Sequence, residues 1–117
     1  MMTLKETRRL MQREPQDWCI HLMDFVDDFR YYKDPRAVAE PFEPGEPKWD
    51  ALLASTAEAL CDELGITPPH WLSGVPACDK PFFVGEIENL KAMSIVQSPL
   101  RFRIRKIFVL ENFLSRV

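Results

Sequence analysis

The sequence predicts a mainly α protein, a compact orthogonal helical bundle with a short extended segment near the C-terminus. Three observations carry this expectation. Apolar residues recur at steps of three and four over two long stretches. Prolines and glycines fall between those stretches rather than within them. The only region rich in β-formers is a brief run, Ile107-Phe108-Val109-Leu110.

Residues 3–14 favour helix by propensity but carry a sparse apolar stripe of Leu4, Leu10 and Met11. Pro15 breaks that run and suits the first position of a new helix. A helix is predicted over 16–33, where Trp18, Leu22, Phe25, Phe29 and Tyr32 share one face, and Asp24, Asp27 and Asp28 lie off it. Asp34-Pro35 ends it, because a proline disfavours helical geometry in the residue before it. Residues 35–47 read as a proline-rich connector with at most one turn around Arg36–Glu40. A second long helix is predicted over 48–64, with Trp49, Leu52, Leu53, Ala57, Leu60, Cys61 and Leu64 in a broad stripe and Gly65 as a left-handed cap.

Beyond it, Pro68-Pro69 opens a short turn holding Trp71 and Leu72. A further helical pattern starts at Glu86, with Ile87, Leu90 and Met93 or Val96. Residues 101–105 alternate as a strand would, while Ser98-Pro99 looks like a helix start. Helix over 99–105 followed by an extended 107–110 is the reading adopted. The three tryptophans, Trp18, Trp49 and Trp71, are expected to pack together as anchors of one core. The chain therefore reads as one domain over 1–117: an N-terminal helical part (1–34), the connector (35–47) and a C-terminal module (48–117).

Composition bounds function. No stretch approaches the roughly 20 apolar residues needed to cross a bilayer, and the start, MMTLKETRRLMQRE, has no apolar core or cleavage site. A cytoplasmic protein with no membrane association is expected. Cys19, Cys61 and Cys78 are odd in number and widely spaced, so they are read as structural thiols without a disulfide. Net charge is −3, but unevenly spread: residues 1–78 hold 8 Lys/Arg against 14 Asp/Glu, and residues 79–117 hold 7 against 4. Overall attraction to nucleic acid is not supported; a local anion contact in the last third is compatible with this charge.

Candidate chemistry is sparse. His21 and His70 are the side chains best suited to proton transfer near neutrality. Neither is taken to have a Cys, His or carboxylate at metal-ligand spacing, so no metal and no cofactor are expected. Asp24 and Asp28 share a helix face, for which a solvated acidic surface is the plainer account. No Walker loop, G-x-G-x-x-G, EF-hand or nucleophile elbow occurs. The concentrated charge is the run Arg101, Arg103, Arg105 and Lys106. As a strand it puts three guanidinium groups on one face, a compact anion contact; as a helix it pairs Arg101 with Arg105 and turns Arg103 elsewhere. The alternative is that these cations pair with the protein's own acidic helix or face water.

The C-terminal half also carries a resemblance. The series Pro69-His70-Trp71, Pro81-Phe82-Phe83-Val84, Leu90-Lys91-Ala92-Met93 and Ser98-Pro99-Leu100-Arg101-Phe102-Arg103-Ile104-Arg105-Lys106-Ile107-Phe108-Val109, closing on Asn112-Phe113-Leu114-Ser115-Arg116, resembles a small bacterial module whose tail reads SP..FR.R.IFV..N.LSRA. That module occurs alone or behind a helix-turn-helix domain. The resemblance implies an antitoxin-like protein partnered with a nucleotidyltransferase-like toxin, and implies no catalytic residues. It spans residues 48–117. Residues 1–40 do not read as a helix-turn-helix, and Val117 stands where the pattern has alanine.

The expected function is thus a non-enzymatic intracellular protein-binding or regulatory module. Its contacts would be Arg101, Arg103, Arg105, Lys106, Asn112 and Arg116. Alternatives are nucleic-acid contact through the arginine run, and a small enzyme using His70 or His21.

Overall fold

The computed structural model describes residues 1–84, 95, 97–110 and 113–115. It is mainly α with one short extended pairing, as the sequence predicts. Its radius of gyration, 13.2 Å, is that of a compact chain of this length, for which about 13 Å is expected.

Helix α1 spans Leu4–Arg13. It starts where the Thr3 hydroxyl accepts from the Glu6 N–H, and it ends at Glu14, the residue before Pro15. A single 3₁₀ turn, Pro15–Asp17, leads into α2, Trp18–Tyr32, capped by Lys33 in the left-handed region at φ 53°. α2 buries Leu22, Met23, Phe25, Val26 and Phe29. The expected stripe is therefore displaced: Tyr32 is 53% exposed, and Met23 and Val26 take the inner positions. The connector holds one 3₁₀ turn, Pro35–Val38, which sends Ala37 and Val38 into the core.

Helix α3, Pro47–Leu64, is the centre of the molecule. Residues 50–58 are all buried, so it has no solvated face over that length. Helices α1 and α2, the 3₁₀ turn at His70–Gly74 and the C-terminal elements surround it. The chain after α3 enters that 3₁₀ turn, then strand β1, Phe82–Phe83. Helix α4, Leu100–Arg103, is one turn long and is followed by strand β2, Ile107–Phe108. β1 and β2 pair in parallel, Phe82 opposite Ile107 and Phe83 opposite Phe108. The adopted reading of 99–110 is thus right in kind, with a shorter helix and Lys106 at φ 61° turning the chain into β2. The helix expected from Glu86 lies outside the described residues.

The tryptophans do not form one cluster. Trp18 and Trp49 are in contact at 5.1 Å between ring centroids, and Trp49 meets Phe82 at 5.6 Å. Trp71 instead packs edge-on to Phe42 and donates its indole N–H to the Val38 carbonyl at 2.9 Å. This bond from the half-buried Trp71 pins the connector, since an indole N–H withdrawn from water needs an acceptor. No described helix is long and apolar enough to cross a membrane.

Gly65 caps α3 at φ 71°, where an added Cβ would meet nothing within 4 Å. The strain of a side chain there is therefore backbone strain alone. Gly65→Ala is expected to cost about 1 kcal/mol, seen as a fall of roughly 4 °C in unfolding midpoint by calorimetry.

Candidate functional site

The C-terminal arginines are where the structure departs most from expectation. Arg105 is buried, and each arm of its guanidinium is occupied. Its Nη1 donates to Glu58 Oε1 and lies 3.5 Å from Ser55 Oγ; its Nη2 donates to the Leu72 carbonyl at 2.7 Å and its Nε to the Val75 carbonyl at 3.1 Å. Glu58 is equally enclosed, in the middle of α3. A carboxylate there has no water to solvate it, and the guanidinium supplies the compensating charge.

Arg101, on α4, lies against the next turn of α3. Its Nε and Nη2 form a two-point pair with Asp62 at 2.9 and 3.0 Å, and Nη1 reaches Glu58 Oε2 at 3.4 Å. The two arginines thus flank one carboxylate, Glu58. As contacts for another molecule, Arg105 is corrected to a core residue and Arg101 to an internal ion-pair partner. The one-face strand geometry that would gather Arg101, Arg103 and Arg105 is not adopted, because residues 100–106 form a helical turn and a tight turn.

Two members of the run remain outside. Arg103 is exposed and makes no ion pair among the described residues. Lys106 is exposed, with Nζ 3.5 Å from the Asp79 carbonyl. Asn112 and Arg116 lie outside the described residues. The short helix also turns two large apolar side chains outward, Leu100 at 65% and Ile104 at 57% exposure. Helical spacing separates Ile104 from Phe102, which is fully buried.

Beside this face lies a cleft of about 510 Å³ lined by Leu100, Phe102, Val109, Phe113 and Leu114. Two ion pairs are also part of its wall, Arg101–Asp62 and Arg30–Glu63. Arg30 grips Glu63 with Nε and Nη2, both at 2.8 Å, and donates Nη1 to the Leu114 carbonyl at 2.6 Å. That bidentate hydrogen bonding holds the Glu63 carboxyl below the usual carboxylate range. Among the described residues, the carboxylates that line the cleft, Asp62 and Glu63, are thus both engaged by arginine. Its size is that of a small-ligand site; Ser115 also lines it, with no histidine or cysteine among the described lining residues to act as its base.

His70 is exposed at the start of its 3₁₀ turn, where its carbonyl accepts from the Ser73 hydroxyl at 2.7 Å. His21 is different. Its Nε2 lies 3.0 Å from Glu14 Oε1, and Glu14, Asp17 and His21 present ligand-type atoms within 4.8 Å of one another. The sequence reading that neither histidine has a carboxylate at ligand spacing is corrected, since Asp17 stands four residues before His21. Of the cysteines, Cys61 and Cys78 are buried and Cys19 is exposed. Burial pushes the Cys61 thiol up to about 11, with Asp62 and Glu58 adding to it. Asp28, read as part of a solvated acidic face, accepts from the Met2 backbone N–H at 2.7 Å and so ties the N-terminus to α2.

No family model matches the chain, and no curated protein or solved structure matches it either.

The Arg101–Asp62 pair sits near the surface, where screening by water leaves an ion pair worth less than about 1 kcal/mol. Arg101→Ala is therefore expected to lower stability by no more than that in urea unfolding. A loss of several kcal/mol would show that the pair is a structural keystone instead.

Proposed function

We propose that this chain is a non-catalytic intracellular protein-binding module that engages a protein partner through the outer face of α4 and the turn after it. The observation that carries the proposal is the set Leu100, Arg103 and Ile104. Two large apolar side chains stand exposed at i and i+4, flanking a guanidinium that has no internal partner among the described residues. Lys106 extends the same segment. Arginine is among the residues in which binding energy concentrates at protein interfaces, and the exposed apolar side chains beside it add area for a partner to bury. The adjoining cleft, lined by apolar side chains and the two arginine–carboxylate pairs, gives a partner side chain a place to enter.

Nucleic-acid contact is less well supported by the same residues. With Arg101 and Arg105 engaged by Asp62 and Glu58, only Arg103 and Lys106 of the run 101–106 remain for phosphates, and two exposed apolar side chains lie among them. An antitoxin-like role toward a nucleotidyltransferase-like toxin is the specific form of the protein-binding proposal that the likeness of the tail suggests.

Affinity capture of the tagged chain from its native host, with mass spectrometry, tests the proposal. The expected result is a stoichiometric partner retained by wild type and lost with Leu100→Ser/Ile104→Ser and with Arg103→Glu. These positions are exposed, so each change should alter stability by only about 0.5 kcal/mol. Recovery of the chain alone, or a partner indifferent to all three substitutions, would overturn the proposal.

A further inference from the structure

We propose that Glu14, Asp17 and His21 form a binding site for a divalent transition-metal ion of the Zn²⁺ type at the corner between α1 and α2. The site is independent of the α4 face.

The corner is built by Pro15. Glu14 precedes the proline, leaves the helical region at φ −130° and ψ 66°, and closes α1. The 3₁₀ turn carries the chain round, with the Asp17 N–H bonded to the Glu14 carbonyl at 2.9 Å. Asp17 then stands at the N-cap of α2, and His21 one turn further on. Spacings of three and four residues bring the three side chains to one side of the corner.

Each group has coordination capacity left over. The Nε2 atom of His21 is buried and has no hydrogen-bond partner, although Glu14 Oε1 is only 3.0 Å away. The pair is at contact distance without hydrogen-bond alignment. That is the relation of two ligands of one ion: donors each about 2.1 Å from Zn²⁺ lie roughly 3.0–3.4 Å apart at angles of about 90–109°. Asp17 occupies the position where an aspartate ordinarily accepts from the helix N–H groups, yet makes no such bond. No Lys or Arg among the described residues pairs with Glu14 or Asp17.

The donor set selects the ion. One imidazole with two carboxylates suits Zn²⁺ and its transition-metal neighbours, whereas Mg²⁺ prefers oxygen ligands and retains its water. Glu14 is exposed, leaving room for water to complete the coordination sphere. A bound ion would join the end of α1 to the start of α2 and stabilise the native chain by mass action.

The test is a Zn²⁺ titration of the chelator-treated full chain, followed by the histidine ring resonances in NMR and by the unfolding midpoint. It is done in a Cys19→Ser background, because that exposed thiol lies two residues from the site. The expected result is a saturable shift of the His21 ring signals, no comparable shift at His70, a raised midpoint, and no response to Mg²⁺. His21→Gln and Glu14→Gln should each weaken binding by more than about tenfold, the loss that a supporting group alone can bring. Glu14 is exposed, so the second variant keeps the test informative should the first fold poorly. Unperturbed His21 signals at about millimolar Zn²⁺, or equal binding by Glu14→Gln, would overturn the proposal.

Discussion

The structure depends on making a carboxylate tolerable inside its central helix. Residues 50–58 of α3 are enclosed on every side, and among them are Asp50 and Glu58. An ionised carboxylate in such a place is costly unless a cation and further hydrogen bonds accompany it. Both are met by arginine. Arg8 of α1 donates Nε to Asp50 at 2.6 Å, and the Gly45 N–H adds a bond at 2.9 Å to the other oxygen. Gly45 approaches so closely that a Cβ there would stand 2.5 Å from Arg8 Nη2. Glu58 is met by Arg105, which comes from the far end of the chain.

The second pairing organises more of the fold than the first. Besides Glu58, Arg105 binds the carbonyls of Leu72 and Val75, so the 3₁₀ turn after α3 is fixed to the same guanidinium. Its own carbonyl accepts from the Cys78 N–H at 3.0 Å, and the next residue, Lys106, accepts from the Phe82 N–H at 2.9 Å. The parallel pairing of β1 with β2 thus begins immediately after the buried arginine. Holding Arg105 inward also sets the rotation of the preceding helical turn. Phe102 must face the core, Arg101 must lie along α3, and Leu100, Arg103 and Ile104 are left outside. The proposed binding face is in this sense a by-product of the internal ion pair.

Much of the helical framework was legible in the sequence. The two long helices, the break at Pro15, the cap at Gly65 and the proline-rich connector each follow from local rules, whereas the buried face of α2 is displaced from the stripe that spacing suggests. What was not legible was long-range. A run of alternating Arg and apolar residues has the same appearance whether its cations meet a partner or the protein's own interior. The deciding residue, Glu58, lies 47 positions before Arg105. Glu58 is not part of the apolar stripe that spacing picks out in 48–64, and periodicity cannot recognise a helix surrounded on all sides. The Asp17–His21 spacing was present in the sequence, but it crosses the start of α2, and Glu14 joins only once the proline corner has folded. Trp71 was misplaced for a similar reason: its partner, the Val38 carbonyl, is a backbone group with no sequence signature.

The central claim is that Glu58 and Arg105 are stabilised by each other rather than separately. A double-mutant cycle with Glu58→Gln and Arg105→Met, read by urea unfolding, tests it most directly. Each single change should cost about 3–5 kcal/mol, since it leaves a buried polar partner uncompensated. The double variant should then cost less than the sum of the two by at least about 1.5 kcal/mol. Costs that add to within about 0.5 kcal/mol would contradict the account.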